Sequence, residues 1–300
     1  MHCNKYHMMV ASAAVLWGCI GPFVKYLSGQ GFSSLQIVAI RVTVAAVLFT
    51  LFLLIRDPGA LRIKLRHCGY FIGTGILSLA FFNFCYFEAI RRSSIATAVI
   101  LLYTAPIFVL LFSAILFHEA LTRVKLAAVA LTVTGCALVS GIGGDMGLTP
   151  AALLLGLGSG LGYALYSIFS KYALRHYGSA TISAYTFLFA TIAMLPLSQP
   201  TQLLPQLIQP ATLIPALGLG LVSCIIPYLL YTKGLSHTEA GQASIIATLE
   251  PVVGCLFGLV VYQEQIGWVQ GIGILLVLGA ILLVNLSQHT PAPIQNEAKT

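Results

Sequence analysis

The feature that most constrains this chain is its division into ten long apolar segments. A helix needs about 20 mostly apolar residues to cross the hydrocarbon core of a bilayer. In chain order, the first to tenth segments are Met8–Leu27, Leu35–Ile55, Tyr70–Ile90, Ile95–Phe117, Val124–Ile142, Ala151–Tyr172, Thr181–Ser198, Ala211–Leu235, Gly241–Tyr262 and Ile266–Leu286. The sequence therefore predicts an all-α membrane protein with ten transmembrane helices and no soluble domain.

Composition supports a lipid environment. Hydrophobic residues make up 58% of the chain and charged residues only 8%, whereas a soluble domain carries about 25% charge. So few charges could not cover a water-exposed surface, which argues strongly against an ordinary soluble enzyme. The seven cysteines are scattered and form no CxxC pair, so we predict neither disulfides nor a metal site, and no cofactor.

The basic residues predict the orientation in the membrane. Cytoplasmic loops of membrane proteins carry an excess of Lys and Arg. With the N-terminus inside, 11 of the 15 basic residues become cytoplasmic: Lys5, Arg56, Arg62, Lys64, Arg66, Arg123, Lys125, Lys171, Arg175, Lys233 and Lys299. We therefore predict cytoplasmic N- and C-termini, and we attribute the net charge of +7 to these loops and not to a nucleic-acid partner.

The sequence partly repeats itself. At a shift of 145 positions Tyr86 coincides with Tyr231, Pro106 with Pro251, Glu119 with Glu264 and Ala98 with Ala243. Each copy holds five segments, and an odd number makes the second copy enter from the opposite side, as in many secondary transporters. The predicted units are residues 8–142, residues 151–286 and a cytoplasmic tail, residues 287–300.

Two short motifs carry a family resemblance. Tyr103-Thr104-Ala105-Pro106 is followed 13 residues after the proline by Glu119, and Leu249-Glu250-Pro251-Val252 is followed 13 residues on by Glu264. Trp17-Gly18 and then Lys25 mark the first segment. The whole chain resembles two tandem repeats of the EamA family of the drug/metabolite transporter superfamily. The resemblance implies a ten-helix secondary transporter of small metabolites, often an exporter, in a bacterial plasma membrane.

Two prolines and three charged residues are candidates for function. Pro106 and Pro251 lie near the midplane, where a proline kinks a helix. Each kink could serve as a hinge, could expose a freed carbonyl to the substrate, or could simply be packed against neighbouring helices. Glu250 is the costliest residue to insert. It could pair with Arg41 as a structural ion pair, bind a substrate amine, or carry a proton. Lys25 reaches the outer interface, either snorkelling there or contributing to gating.

Polar and aromatic residues predict a cavity wall or, alternatively, helix–helix packing. Besides Lys25, Arg41, Glu250 and the two prolines, the candidates for substrate contact or gating are Trp17, Asn83, Tyr86, Tyr103, Ser159, Tyr163, Tyr166 and Tyr231. Glu119 and Glu264 lie at the interfaces, and we interpret both as structural residues that make helix-end or loop contacts.

These features favour a secondary transporter of small organic metabolites, with amino acids as the expected class and export favoured by the family resemblance alone. The partners we expect are a small-molecule substrate and the lipid bilayer, with proton coupling as one alternative. Multidrug efflux and metabolite uptake are rival hypotheses. A membrane enzyme is a remote one, because it would need a cluster of His, Asp or Glu near one interface.

Overall fold

A computed structural model describes residues 5–140, 149–263, 265 and 267–287 of the chain. Within these residues the regular structure is helical. The α-helices are α1 Lys5–Gly18, α2 Gly21–Gly29, α3 Ser34–Arg56, α4 Cys68–Ile72, α5 Phe81–Arg92, α6 Ile95–Leu102, α7 Ala105–Phe117, α8 Arg123–Val139, α9 Pro150–Ala173, α10 Ser179–Leu197, α11 Pro200–Leu207, α12 Pro210–Gly220, α13 Ile226–Leu235, α14 Ala240–Ala247, α15 Leu249–Tyr262 and α16 Trp268–Ser287. Short 3-10 helices occupy Pro58–Leu61 and Leu65–His67, and π-helices join α4 to α5 over Gly73–Ala80 and α12 to α13 over Leu221–Ile225.

Nine stretches of the described residues are long and apolar enough to cross a membrane. They correspond to every predicted segment except the fifth, which is α8. This helix has 17 residues, a length of about 25 Å against a hydrocarbon core of about 30 Å. The predicted fifth segment continues to Ile142, and residues 141–148 lie outside the described part of the chain. The structure thus supports nine spans, and the tenth stays a prediction.

Three segments are interrupted, each at a place that a proline determines. A proline inside a helix clashes with the carbonyl of the residue four positions earlier. Pro22, Pro106 and Pro251 each lie four residues after the last residue of the preceding helix, which is Gly18, Leu102 and Ala247, respectively. We expected kinks at Pro106 and Pro251. The helices end completely and restart there, which leaves backbone groups near the middle of the first, fourth and ninth segments.

The helices pack in pairs around a central apolar core. The second segment packs along the seventh, the first along the eighth, and α8 along α16. The main cluster of buried side chains includes Phe49 of α3, Phe187 of α10 and Tyr228 of α13. Large apolar side chains such as Ile55, Leu154 and Leu275 point outward, with about 70% of their surface exposed. These exposed side chains form the surface that would contact lipid.

Candidate functional site

A cavity of about 710 Å³ opens between segments of the first half and the break in the ninth segment. Its walls carry polar, charged and aromatic side chains, and Glu88 and Arg91 line it close to the end of α5. Six of the candidates from the sequence line this open cavity: Trp17, Arg41, Asn83, Tyr86, Tyr103 and Glu250. The fold therefore brings together residues from five different segments.

Glu250 lies in the first turn of α15, directly after the break at Thr248. A helix N-terminus favours a carboxylate because its free N–H groups carry partial positive charge. The Tyr163 hydroxyl donates a hydrogen bond to Glu250 Oε2 over 3.3 Å. Gly18 lets the first segment approach this turn closely, because a Cβ atom there would lie 2.7 Å from the Glu250 carbonyl oxygen. Glu250, together with Pro251, also lines a neighbouring cavity of about 380 Å³.

Arg41 comes from α3 and lines the same open cavity as Glu250. Its Nε is buried and has no hydrogen-bond partner among the described residues. Among all the described residues, the ion pairs are those of Glu88 with Arg91 and Arg92, and of Lys125 with Glu239. Arg41 and Glu250 thus face one cavity without forming the structural ion pair that was one interpretation of the sequence. A guanidinium and a carboxyl group are left available to a ligand.

An aromatic floor, formed by Trp17, Tyr166, Tyr228 and Tyr231, closes one end of the cavity. The Tyr166 and Tyr228 rings pack edge to face with centroids 5.0 Å apart, and the Trp17 and Tyr228 rings do so at 5.3 Å. Only about 20 Å³ of space remains among these rings and their neighbours, including Tyr163. That volume holds about one water molecule, so the rings of the floor leave no room for an organic molecule among them.

Hydrogen bonds fix the orientation of the floor. The Tyr166 hydroxyl lies 2.7 Å from the Thr232 hydroxyl, and the Tyr231 hydroxyl lies 2.7 Å from that of Ser167. Trp17 Nε1 donates to the Ser223 carbonyl over 3.1 Å, and Ser223 belongs to the π-helix of the eighth segment. Because buried Trp and Tyr polar atoms need partners in hydrocarbon, these bonds let a polar aromatic layer lie deep in the bundle.

Beyond the floor, the side chains of Glu119, Lys125 and Lys171 hold the loop between α13 and α14 and the first turn of α14. Glu119 Oε1 and Oε2 accept from the backbone N–H groups of Ala240 and Gly241 over 2.9 and 3.3 Å. The Lys125 ammonium lies 2.7 Å from Glu239. Lys171 donates to the backbone carbonyls of Leu235 and Thr238. We call this set the loop clamp.

The sequence predicted a helix-end or loop contact for Glu119, whereas Lys125 and Lys171 entered only the prediction of orientation and Glu239 was not a candidate. Lys25 and Lys171 lie 146 positions apart, close to the 145-residue register of the repeat, and this spacing is the one signal in the sequence that points to Lys171. It could not identify a backbone carbonyl as the partner of Lys171.

Three other candidates lie away from the open cavity. Lys25 is exposed, and its ammonium lies 3.8 Å from the centroid of the Tyr262 ring. Pro106 is buried in the first turn of α7. Ser159 is fully buried and donates to the Gly156 carbonyl over 2.6 Å, so it serves packing within and around α9. Glu264 lies outside the described residues.

No group of three or more His, Cys, Asp or Glu side chains that could hold a metal ion occurs among the described residues. The side chains that line the open cavity can bind an organic ligand. Its walls supply one guanidinium, one carboxyl group, an amide and several aromatic faces, a combination that can recognise an amphipathic organic molecule.

Membrane-length helices around a cavity with polar and charged walls are typical of a membrane transport protein. The comparison with protein families agrees. The profile of the EamA-like transporter family matches residues 4–141 and again residues 150–286. The chain belongs to the EamA-like transporter family.

Similar proteins are transporters by description. An uncharacterized transporter of Archaeoglobus fulgidus is 29% identical over 94% of this chain and 97% of its own length. The uncharacterized transporter YwfM of Bacillus subtilis is 24% identical over 94% of each chain. The uncharacterized inner membrane transporter YicL of Salmonella typhimurium is 22% identical over 96% of this chain and 98% of its own.

A solved crystal structure, described only as that of a protein, superposes with a TM-score of 0.78 at 18% identity, over 94% of this chain and 97% of that one. At this identity the likeness shows the fold alone.

Proposed function

We propose that this protein is a secondary transporter that moves small organic metabolites across the plasma membrane by alternating access. The observation that carries the proposal is the placement of Arg41 and Glu250 on the walls of one cavity that ends at the aromatic floor. A volume of about 710 Å³ lies within the range of small-molecule sites, about 300–1,000 Å³. The conformation corresponds to a state open to one side of the membrane and closed to the other.

The cavity favours substrates that carry both a positive and a negative group beside an apolar part. Arg41 can bind a carboxylate through several N–H donors, while Glu250 can accept from an ammonium group. Tyr86, Tyr103 and Trp17 provide aromatic surface nearby. Amino acids and related metabolites have this combination of groups. Export as the direction of transport rests on the family resemblance. Multidrug efflux and metabolite uptake are the rival functions, and a flux assay with different substrates and in both directions separates them.

We also propose ten spans in two inverted halves of five, with both termini in the cytoplasm. Support comes from the two matches to one family profile and from helix breaks that Pro106 and Pro251 place 145 positions apart. The left-handed residues His118 and Gln263, which end α7 and α15, have the same spacing. Reporter fusions at Pro58 should give a cytoplasmic signal and fusions at Gln202 an external one. A cytoplasmic signal at Gln202 would contradict the inverted arrangement.

Flux into proteoliposomes tests the transport function. Purified protein in vesicles preloaded with unlabelled amino acids should exchange them for labelled ones, and Glu250→Gln should reduce this exchange at least about tenfold, since a charged hydrogen bond contributes about 1.5–3 kcal/mol. Glu297→Gln, in the tail, is the matched control and should behave as the wild type.

The pH dependence of flux distinguishes the two roles of Glu250. If the carboxyl group carries a coupled proton, Glu250→Gln should flatten the pH dependence for every substrate. If it binds a substrate amine, the variant should lose amine-bearing substrates selectively. Full activity of Glu250→Gln at every pH would exclude both roles, and an absence of flux for a broad metabolite panel would contradict transport itself.

A further inference from the structure

A second cavity, separate from the transport cavity, lies at the end of the bundle beside the start of α10. It has a volume of about 600 Å³ and is lined by Arg62, His176, Ser179 and Lys233, with Leu53 and Leu229 on its apolar side. None of these residues lines the open cavity with Arg41 and Glu250. From the features argued below, we propose that this second cavity binds a phosphate-bearing anion.

The first feature is a helix N-terminus that the chain leaves without a cap. α10 has 19 residues and begins after Gly178, which supplies no side-chain acceptor. Its counterpart at a shift of 145 is Ser33, which begins α3 with the same backbone conformation, φ −71° and ψ 160° against φ −73° and ψ 159°. At α3 the Ser33 and Gln36 side chains form a capping box. At α10 the N–H groups of the first turn keep their partial positive charge free to meet an anion.

The residue that could replace the missing cap is engaged elsewhere. Thr181 takes the position of Gln36, but its hydroxyl donates to the Ala60 carbonyl over 3.0 Å. A Cβ atom added at Gly178 would meet nothing within 4 Å. The space in front of the helix is therefore open.

The second feature is an unpartnered hydroxyl in the same place. Ser179 as a residue is only 8% exposed and lines the cavity, and its hydroxyl forms no hydrogen bond within the part of the chain that the structure describes. Since the Ser179 hydroxyl can donate to an oxygen that enters the cavity, its position points to a ligand with acceptor atoms.

The third feature is the charge of the walls. Arg62 and Lys233 line the cavity, and neither forms an ion pair among the described residues. Asp57 is the only acid among the described residues of the lining, and one of its oxygens accepts from the Ala60 N–H over 3.3 Å. A guanidinium, an ammonium and free helix N–H groups together are the donors that bind phosphate oxygens.

Two sources could supply this phosphate group, namely the headgroup of an anionic phospholipid and a soluble phosphate. Leu53 and Leu229 in the lining, and the exposed Leu54 and Ile55 beside it on α3, offer a surface for acyl chains. Binding to dihexanoyl phosphatidylglycerol, dihexanoyl phosphatidylcholine and inorganic phosphate, each titrated at constant ionic strength into the purified full chain in neutral detergent, tests the site and its source.

The phosphatidylglycerol should raise the melting temperature saturably, whereas the phosphatidylcholine should not. Arg62→Gln and Lys233→Gln should each weaken the apparent Kd about tenfold, as expected for the loss of a charged donor. Arg123→Gln removes an equal charge from the start of α8, outside this cavity, and should leave the Kd unchanged. Saturable stabilisation by inorganic phosphate as well would identify a soluble anion as sufficient, and stabilisation by phosphatidylglycerol alone would identify the lipid headgroup.

Gly178→Asp gives a test that does not remove a cation. An aspartate N-cap would accept hydrogen bonds from the free N–H groups and would place its own carboxylate where the anion binds. This variant should melt at a higher temperature than the wild type without ligand and should lose at least about tenfold in affinity for phosphatidylglycerol. Unchanged affinity in Gly178→Asp, or no saturable binding of phosphatidylglycerol or of inorganic phosphate to the wild type, would overturn the proposal.

Discussion

The breaks in the fourth and ninth segments have the same backbone cause and different surroundings. In both, a helix ends four residues before a proline and restarts just before it. At the fourth segment the residue before the proline is Ala105, which is 2% exposed. At the ninth it is Glu250, which lines two cavities. The proline thus determines where a helix breaks, and the residue before it determines whether the break can bind a ligand.

Packing explains why Ala105 is buried whereas Glu250 lines a cavity. Close to the fourth break lies Gly160 of α9, where an added Cβ atom would lie 2.7 Å from Thr104 Oγ1. The sixth segment therefore covers one side of the fourth break, although Tyr103 at its start lines the open cavity. The ninth break faces Gly18, at the end of α1, where the first segment is itself interrupted. Two interrupted segments meet there, and the space between them remains as cavity.

Placing a carboxylate in the fourth break, as the ninth break has at Glu250, should have the largest effect on folded yield. Ala105→Glu would place a carboxylate in a buried position, at a cost of about 2.5–3.5 kcal/mol for a charge inside the membrane. The N-terminus of α7 would offset only about 0.3–1 kcal/mol of this. We expect a large loss of monodisperse protein in size-exclusion chromatography and a lower melting temperature.

Two variants separate charge from size in that experiment. Ala105→Gln has nearly the same volume as Ala105→Glu and should lose much less folded protein. Glu250→Ala removes the carboxyl group from the open break and should keep its yield. Equal yields of Ala105→Glu and Ala105→Gln would show that the fourth break is as accessible to water as the ninth.

A smaller effect should come from removing the contact of Glu119 that joins the fourth and ninth segments. Glu119, just beyond the end of the fourth segment, holds the first turn of the ninth through two backbone N–H groups. Hydrogen bonds to a charged group contribute about 1.5–3 kcal/mol, so Glu119→Gln should open the loop clamp about tenfold more often. Maleimide labelling of Ser170→Cys, in an otherwise cysteine-free chain, measures this opening because Ser170 is fully buried on α9, one turn beyond Tyr166 of the floor.

The counterpart variant sharpens the comparison. Glu264 follows Pro251 as Glu119 follows Pro106, and if the halves are inverted it acts at the opposite side. Glu264→Gln should therefore leave the labelling of Ser170→Cys at the wild-type rate. Equal labelling in Glu119→Gln and the wild type would show that Glu119 does not hold the clamp closed.

Much of the architecture follows from the sequence by itself. Apolar length predicts the spans, because a segment in lipid must satisfy its backbone hydrogen bonds internally and so forms a helix. Pro106 and Pro251 predict a local disruption of the helix, because a proline clashes with the carbonyl of the residue four positions earlier. The cost of a carboxylate in hydrocarbon singled out Glu250, and the structure places it beside the largest cavity described above. The spacing of the TAP and LEP motifs identified the family that the profile match confirms.

Only the tertiary structure decided which polar residues meet. Ser159, Tyr163 and Tyr166 recur at i, i+4 and i+7 along the sixth segment and so share one helix face. Yet Ser159 donates to its own helix, Tyr163 donates to Glu250, and Tyr166 belongs to the floor. Arg41 and Glu250 could equally have paired. A sequence period defines a face of one helix, whereas a contact depends on the distance, rotation and interruption of the neighbouring helices, and these are set by packing between residues far apart in the chain.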